Sequence, residues 1–239
     1  MSIVANHTRF FPDILEEVLD AMNKTITVTA ITDNEDGSYT LDVCDVKYLQ
    51  AGFSQTIGEA TYTIDEVDHA NKQITVIGSI EPPVGNFTAY SVKFYHGTIV
   101  QTNSELARLM NVSDKTPMIY LLESFRETFN RDTALSKERT SDVRLFFLTQ
   151  ANFEDWVTSD YYAQSLRAMR NLLDLFILTL DSNAQFDRLF EYRATSRTRF
   201  GLESTEKGYS INYFGDNLSG IECDFSFDIK RDMSCVCNC

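Results

Sequence analysis

Histidine, proline and positive charge are scarce in this chain. Three His among 239 residues leave little for acid–base catalysis near neutral pH, which draws on imidazole more than on any other side chain. His7 lies in the amino-terminal stretch and His69 in an expected turn. Only His96, between a Tyr and a Gly where a strand ends, has a setting suited to a ligand or a base, and a hydrogen-bonded structural histidine fits that setting equally. Four Pro and ten Gly against seventeen Phe and eleven Tyr exclude the composition of a disordered chain. A Gly-rich phosphate loop is missing: AGFSQTIGE at 51–59 has neither a Lys-Ser or Lys-Thr pair nor a following helix. No apolar run reaches the roughly 20 residues that span a bilayer. The longest candidate, LLDLFILTL at 172–180, sits inside an amphipathic pattern, so a soluble protein with no membrane partner is expected. The amino end, MSIVANHTRFFPD, lacks the parts of a secretory signal. A reducing cytosol is therefore expected, which weakens a disulfide reading of the cysteines and leaves the five N-x-S/T triplets without glycosylation meaning.

The net charge is −14, and residues 1–97 carry five Lys or Arg against fourteen Asp or Glu. Such a surface repels phosphates, so no specific nucleic-acid binding is expected. The nearest approach to a basic patch is EYRATSRTRFG at 191–201, where Arg193, Arg197 and Arg199 read as a solvated strand face. Carboxylate pairs such as Asp65 and Glu66, or Asp13 and Glu16, carry little information in a chain this acidic.

What is present is periodicity. Phe11, Ile14, Leu15, Val18, Leu19 and Met22 form one apolar helical stripe over 11–22, a stripe that also suits docking on a neighbouring subunit. Strand alternation follows at Ile26, Val28 and Ala30, then at Tyr39, Leu41 and Val43, then at Tyr62, Ile64, Ile74 and Val76, with FTAYSVKFY as a further extended run. Turn-rich NEDGS and DHANKQ separate the runs. A small antiparallel sheet or partly open barrel is expected. From 98 the pattern changes. Thr102 and Glu105 suggest a capping box for a short helix, and MIYLLES and VRLFFLTQ read as central strands covered on both faces. The charged segment between them reads as a long exposed hairpin loop or arm, a candidate contact element. A long helix is expected from Ser159, with Tyr162, Leu166, Met169, Leu173, Phe176 and Leu180 in its stripe, Tyr161, Leu172 and Ile177 widening it, and FDRLFEY extending or following it as a further turn. YSINYF is a strand, and GIECDFSFDIK is the cleanest alternation in the chain. The expected fold is α+β: an antiparallel sheet with a long packing helix, plus an inserted small all-β module. Its divisions are 1–24 (helix), 25–97 (acidic β-rich module), 98–230 (α+β core) and 231–239 (Cys-rich tail).

Five cysteines remain. A Cys-His hydrolase would need Cys44 or Cys223 beside His96, and no cysteine-nucleophile signature surrounds either. Cys235, Cys237 and Cys239, in CVCNC, could hold zinc or copper. An extended chain, however, sets side chains i and i+2 roughly 6.6 Å apart, whereas two thiolates on one zinc stand about 3.8 Å apart. A flexible terminus with incidental thiols fits as well. No catalytic or cofactor-binding residue is assigned, and these three thiols are the metal-ligand candidates.

FYHGTIVQTNSEL, KTPMIYLLES, VRLFFLTQANFEDW and DNLSGIECDFSFDI, spread over 90–230, resemble segments of structural proteins of tailed bacteriophages. The nearest likeness is to tail-terminator or tail-completion proteins of the neck, where head and tail join. That resemblance implies an amino-terminal helix, a sheet and a helix across it, assembled as a homo-oligomeric ring that meets other virion tail, neck and connector proteins. It implies a protein of the virion, assembled in the host cytoplasm, acting without catalysis while DNA passes through its lumen. The 25–90 segment departs from that minimal plan. The alternative is an intracellular metal- or thiol-dependent enzyme or binding protein using His96 and the terminal cysteines.

Overall fold

The computed structural model describes residues 9–130, 137–187, 189, 191–204 and 210–230. Helix α1 (Phe11–Ala21) forms on its apolar stripe, with Pro12 and Asp13 in the first turn, where a missing N–H and a negative charge both suit the helix start. Phe11 meets Phe125 and Phe227, each at a ring-centroid distance of 5.6 Å. The stripe packs inside its own subunit and is not left over for a neighbour.

Strands β1 (Thr25–Asp33), β2 (Ser38–Val43), β3 (Ser54–Ile57), β4 (Ala60–Asp68), β5 (Gln73–Ile77) and β6 (Gly85–Thr88) form an antiparallel sheet in the order β3-β4-β5-β2-β1-β6. Ile26, Val28, Leu41, Ile64, Ile74 and Val76 are buried on its inner face. Ala30, expected among them, is exposed, because the β1–β2 register shifts between Val28 and Ala30 and the extra residue turns later side chains over. The sheet curls until its ends nearly meet. There Gln55 of β3 donates to the Thr88 carbonyl at 2.9 Å and accepts from the Tyr90 N–H at 3.0 Å. A side chain thus stands in for the missing ladder between β3 and β6, and the module is an almost closed barrel.

β7 (Lys93–Gly97) belongs to a second sheet. FTAYSVKFY, expected as one extended run, starts in one sheet and ends in the other. Helices α2 (Ile99–Leu106) and α3 (Val112–Lys115) then cross to β8 (Met118–Leu122), which pairs in parallel with β7, as parallel neighbours require a crossover. The capping box of α2 is Thr98 with Gln101, one turn before the expected pair, and Thr102 is buried within the helix. β9 (Arg126–Phe129) and β10 (Lys137–Gln150) pair as the base of the expected hairpin, with β9 largely exposed. Arg139 is buried there, bonded to Glu127 at 2.9 Å and to the Arg9 carbonyl at 3.1 Å. The tip of that segment, 131–136, lies outside the described residues.

The long helix is built from α4 (Thr158–Asp160), a π-helical turn at Tyr161–Leu166, and α5 (Arg167–Ser182). Val157, not Ser159, heads it, and its N–H donates to the Asp160 carboxylate at 2.9 Å. The wide turn also rotates the stripe: Tyr161 is buried where 3.6-residue spacing calls for Tyr162, which is 54% exposed. Met169, Leu172, Leu173, Phe176 and Leu180 are buried as the stripe requires. The helix ends at Ser182; in place of a further turn, Phe186 bridges to Ile229.

β11 (Arg193–Phe200), β12 (Leu202–Ser204), β13 (Ser210–Asn212) and β14 (Leu218–Lys230) complete the chain. β12 and β13 pair only with each other, while the large sheet runs β11-β14-β10-β8-β7, with β9 beside β10. Its β10–β14 ladder extends from Lys137–Lys230 to Gln150–Leu218. One face, with Leu145, Phe147, Cys223 and Phe225, shares a continuous core with α1, α5 and the barrel interior. The other packs Tyr120 and Phe146 against Leu106, Phe200 and Phe214. The central strands are covered on both sides, as their apolar density requires. Glu222, on the opposite face of β14 from Cys223, is buried between Arg144 at 3.1 Å and Arg197 at 2.6 Å. The architecture is α+β, with a long helix packed across a sheet that is antiparallel except for β7 and β8.

Candidate functional site

The linker 45–54 leaves the barrel after β2 and lies along the long helix. Tyr48 and Leu49 are fully buried and anchor it. The Tyr48 hydroxyl donates to the Tyr90 carbonyl at 2.8 Å, and the Tyr90 hydroxyl donates to the Tyr48 carbonyl at 3.0 Å. Burial raises both phenol pKa values, so both hydroxyls keep their protons and remain donors. Gln50, also buried, accepts from the Thr149 hydroxyl at 2.6 Å and donates to the Gln164 carbonyl in the π turn at 3.1 Å. Asn171 donates to the Lys47 carbonyl at 2.7 Å.

These ties leave hollows between linker and helix of about 540, 190 and 770 Å³. His69 lines the first and second, and Gln50, Ala51 and Gln164 line the second and third, so the three form one groove. A π turn forms part of its wall, a feature often met at functional sites. The large end presents Phe53, Trp156 and Met110 among amides of Gln150, Asn152 and Asn217, an aromatic and amide surface suited to neutral polar contacts. The small end is charged. Lys47, Lys72 and Arg167 gather there with His69, Asp45 and Asp174.

The histidine is held neutral. Its Nδ1 stands 3.2 Å from the Asn171 amide nitrogen, which can only donate, so Nδ1 is the acceptor and Nε2 carries the proton. Burial first, then the Arg167 guanidinium, push the His69 pKa below its ordinary value against the pull of Asp68 and Asp45. Two lysines of this end, Lys47 and Lys72, have φ of 46° and 55°, a left-handed conformation uncommon outside glycine. Asx bonds hold both turns: Asp45 accepts from the Lys47 N–H at 3.0 Å, and Asp68 accepts from the Ala70 and Asn71 N–H groups at 2.8 and 3.0 Å.

Sequence reasoning passed over this place. It set His69 aside as a turn residue, and the signal that could have raised it is the recurrence of Asp followed by Lys in two turn segments, Asp45 to Lys47 and Asp68 to Lys72. His96, in contrast, is half exposed on β7, 3.1 Å from Glu123. Cys44 is exposed and its sulfur accepts from the Thr27 N–H at 3.3 Å; Cys223 is buried in the core. His7, Cys235, Cys237 and Cys239 lie outside the described residues. Among the described residues no group of three or more His, Cys, Asp or Glu is arranged to hold a metal, and no helix is long and apolar enough to cross a membrane. Arg197 pairs with Glu222, and Arg199 stacks 5.3 Å over Phe153, so two of the three β11 arginines are engaged within the fold. No protein-family model matches this chain, and neither does any curated protein or solved structure.

Proposed function

We propose that the protein is a structural component of a tailed-bacteriophage virion, a ring-forming tail terminator or neck protein at the head–tail junction, acting through subunit assembly without turnover. One observation carries the reading beyond sequence resemblance: the large sheet ends in two unlike edges. β7 is a parallel edge with His96 and Lys93, and β11 is an antiparallel edge with Arg193, Arg197 and Arg199; among the described residues each has a hydrogen-bonded neighbour on one side only. A contact that joins unlike surfaces of identical subunits is heterologous, and heterologous contacts repeat until they close a ring or extend a filament. The α1 helix, the sheet and the long helix across it also match the plan that the resemblance implies. The net charge of −14 suits a lumen through which DNA slides without adhering.

Native mass spectrometry of the purified full chain tests this, with negative-stain imaging beside it. A single closed oligomer seen as rings is the expected result. A monomer at every concentration up to those of virion assembly would overturn the reading.

A further inference from the structure

The charged end of the groove lies within one subunit, and its lining residues lie on neither sheet edge. Three cations from separate elements meet there on a strongly acidic chain: Lys47 from the linker, Lys72 from the β4–β5 turn and Arg167 from the start of α5. Of these, Lys47 has a carboxylate in reach, Asp45 at 3.9 Å. Lys72 and Arg167 have no ion-pair partner among the described residues. His69 adds an Nε2–H donor, since its Nδ1 is occupied by Asn171. Both lysines occupy left-handed backbone held by neighbouring aspartates, and strain of this kind persists where the surroundings impose it. Cations and a neutral imidazole N–H lining a cleft of about 540 Å³ make a receptor for a compact anion with several acceptor oxygens.

We propose that this cleft binds a small oxyanion, a phosphate or a carboxylate. The charged groups around His69 are Asp68 on its own turn, Asp45 and Lys47 on the linker, Lys72 after the turn, Asp65 and Glu66 on β4, and Arg167 and Asp174 on α5. A bound anion adds negative charge to this set and favours the imidazolium form. By linkage, affinity therefore rises as pH falls through the lowered His69 pKa, and bound anion raises that pKa by the same coupling.

The test is a titration of the full chain with inorganic phosphate and, separately, with citrate, followed by calorimetry and by the His69 imidazole resonances. Saturable binding of one or both is expected, with the responding anion identifying the source. Arg167→Gln and Lys72→Asn, the latter keeping a residue that tolerates positive φ, should each weaken binding about tenfold, and the bound state should show a raised His69 pKa. Arg108→Gln, exposed after α2 and outside the cleft lining, should leave affinity unchanged. No saturable response to either anion overturns the proposal, as does equal weakening by Arg108→Gln, which would mark non-specific attraction. Because the site is complete in one subunit, binding persists even if the protein proves to be a monomer.

Discussion

Replacing Gln55 with Leu tests whether one side chain closes the barrel. Gln55 is 2% exposed and makes three bonds: its amide donates to the Thr56 and Thr88 carbonyls at 2.7 and 2.9 Å, and its oxygen accepts from the Tyr90 N–H at 3.0 Å. Leu fills similar volume, so little cavity forms, but all three bonds vanish. Thr88 is exposed, so water can satisfy its carbonyl. The Tyr90 N–H follows the buried Ala89 and is left without a partner at about 1–3 kcal/mol, and each other lost bond costs about 1 kcal/mol. Burying apolar instead of amide surface recovers part of this, leaving a loss of about 2–4 kcal/mol. With a urea slope of about 1–3 kcal/mol per molar, the unfolding midpoint should fall by roughly 1 M or more. The Tyr90 amide should exchange faster than in the parent. Gln55→Glu adds a pH arm. Burial and two facing carbonyls raise its folded pKa above the unfolded value of about 4.3. Its stability relative to the parent is therefore highest below that value and is lost as pH rises through the folded pKa. A Leu variant within about 0.5 kcal/mol of the parent, or a Glu variant whose relative stability rises with pH, would refute the closure.

Two further outcomes follow from the large sheet. A Cβ at Gly220 would stand 1.9 Å from the Phe147 oxygen and 3.0 Å from the Leu148 Cα, both backbone atoms of β10; Gly220→Ala should cost about 3 kcal/mol or more, read by thermal melting, and a near-neutral change would show that the β10–β14 approach is looser than described. Burial pushes the Cys223 thiol up to about 12, so iodoacetamide at pH 8, followed by peptide mass mapping, should label exposed Cys44 readily and Cys223 only as the protein unfolds; equal rates at the two sites would contradict the core placement.

Where a side chain's fate depends on its near neighbours in the chain, the sequence was readable. The α1 stripe from Phe11 to Leu19, the inner residues of β2, β4 and β5, and the alternation of Ile221 to Ile229 follow from periodicity alone. The departures share a cause. The bulge that exposes Ala30 depends on pairing with β2, and the π turn that trades Tyr162 for Tyr161 is fitted to the sheet beneath. Arg139 can be buried at the base of the 126–142 hairpin because the Arg9 carbonyl, just before α1, and Glu127 accept from it. Nothing in the alternation around Glu222 shows that Arg144 and Arg197, from other strands, bury it.

The groove belongs to the same category. Lys47, His69 and Arg167 are separated along the chain by 22 and 98 residues, and no local pattern relates them. By itself the sequence determined the elements, their apolar faces, the acidic charge and the α+β class, because each rests on local spacing and composition. Only the tertiary structure decided which strand closes on which, which polar side chains act as ladders and ties, and which cations share a cleft. Those outcomes depend on hydrogen bonds and charges between segments that meet only after the core has formed.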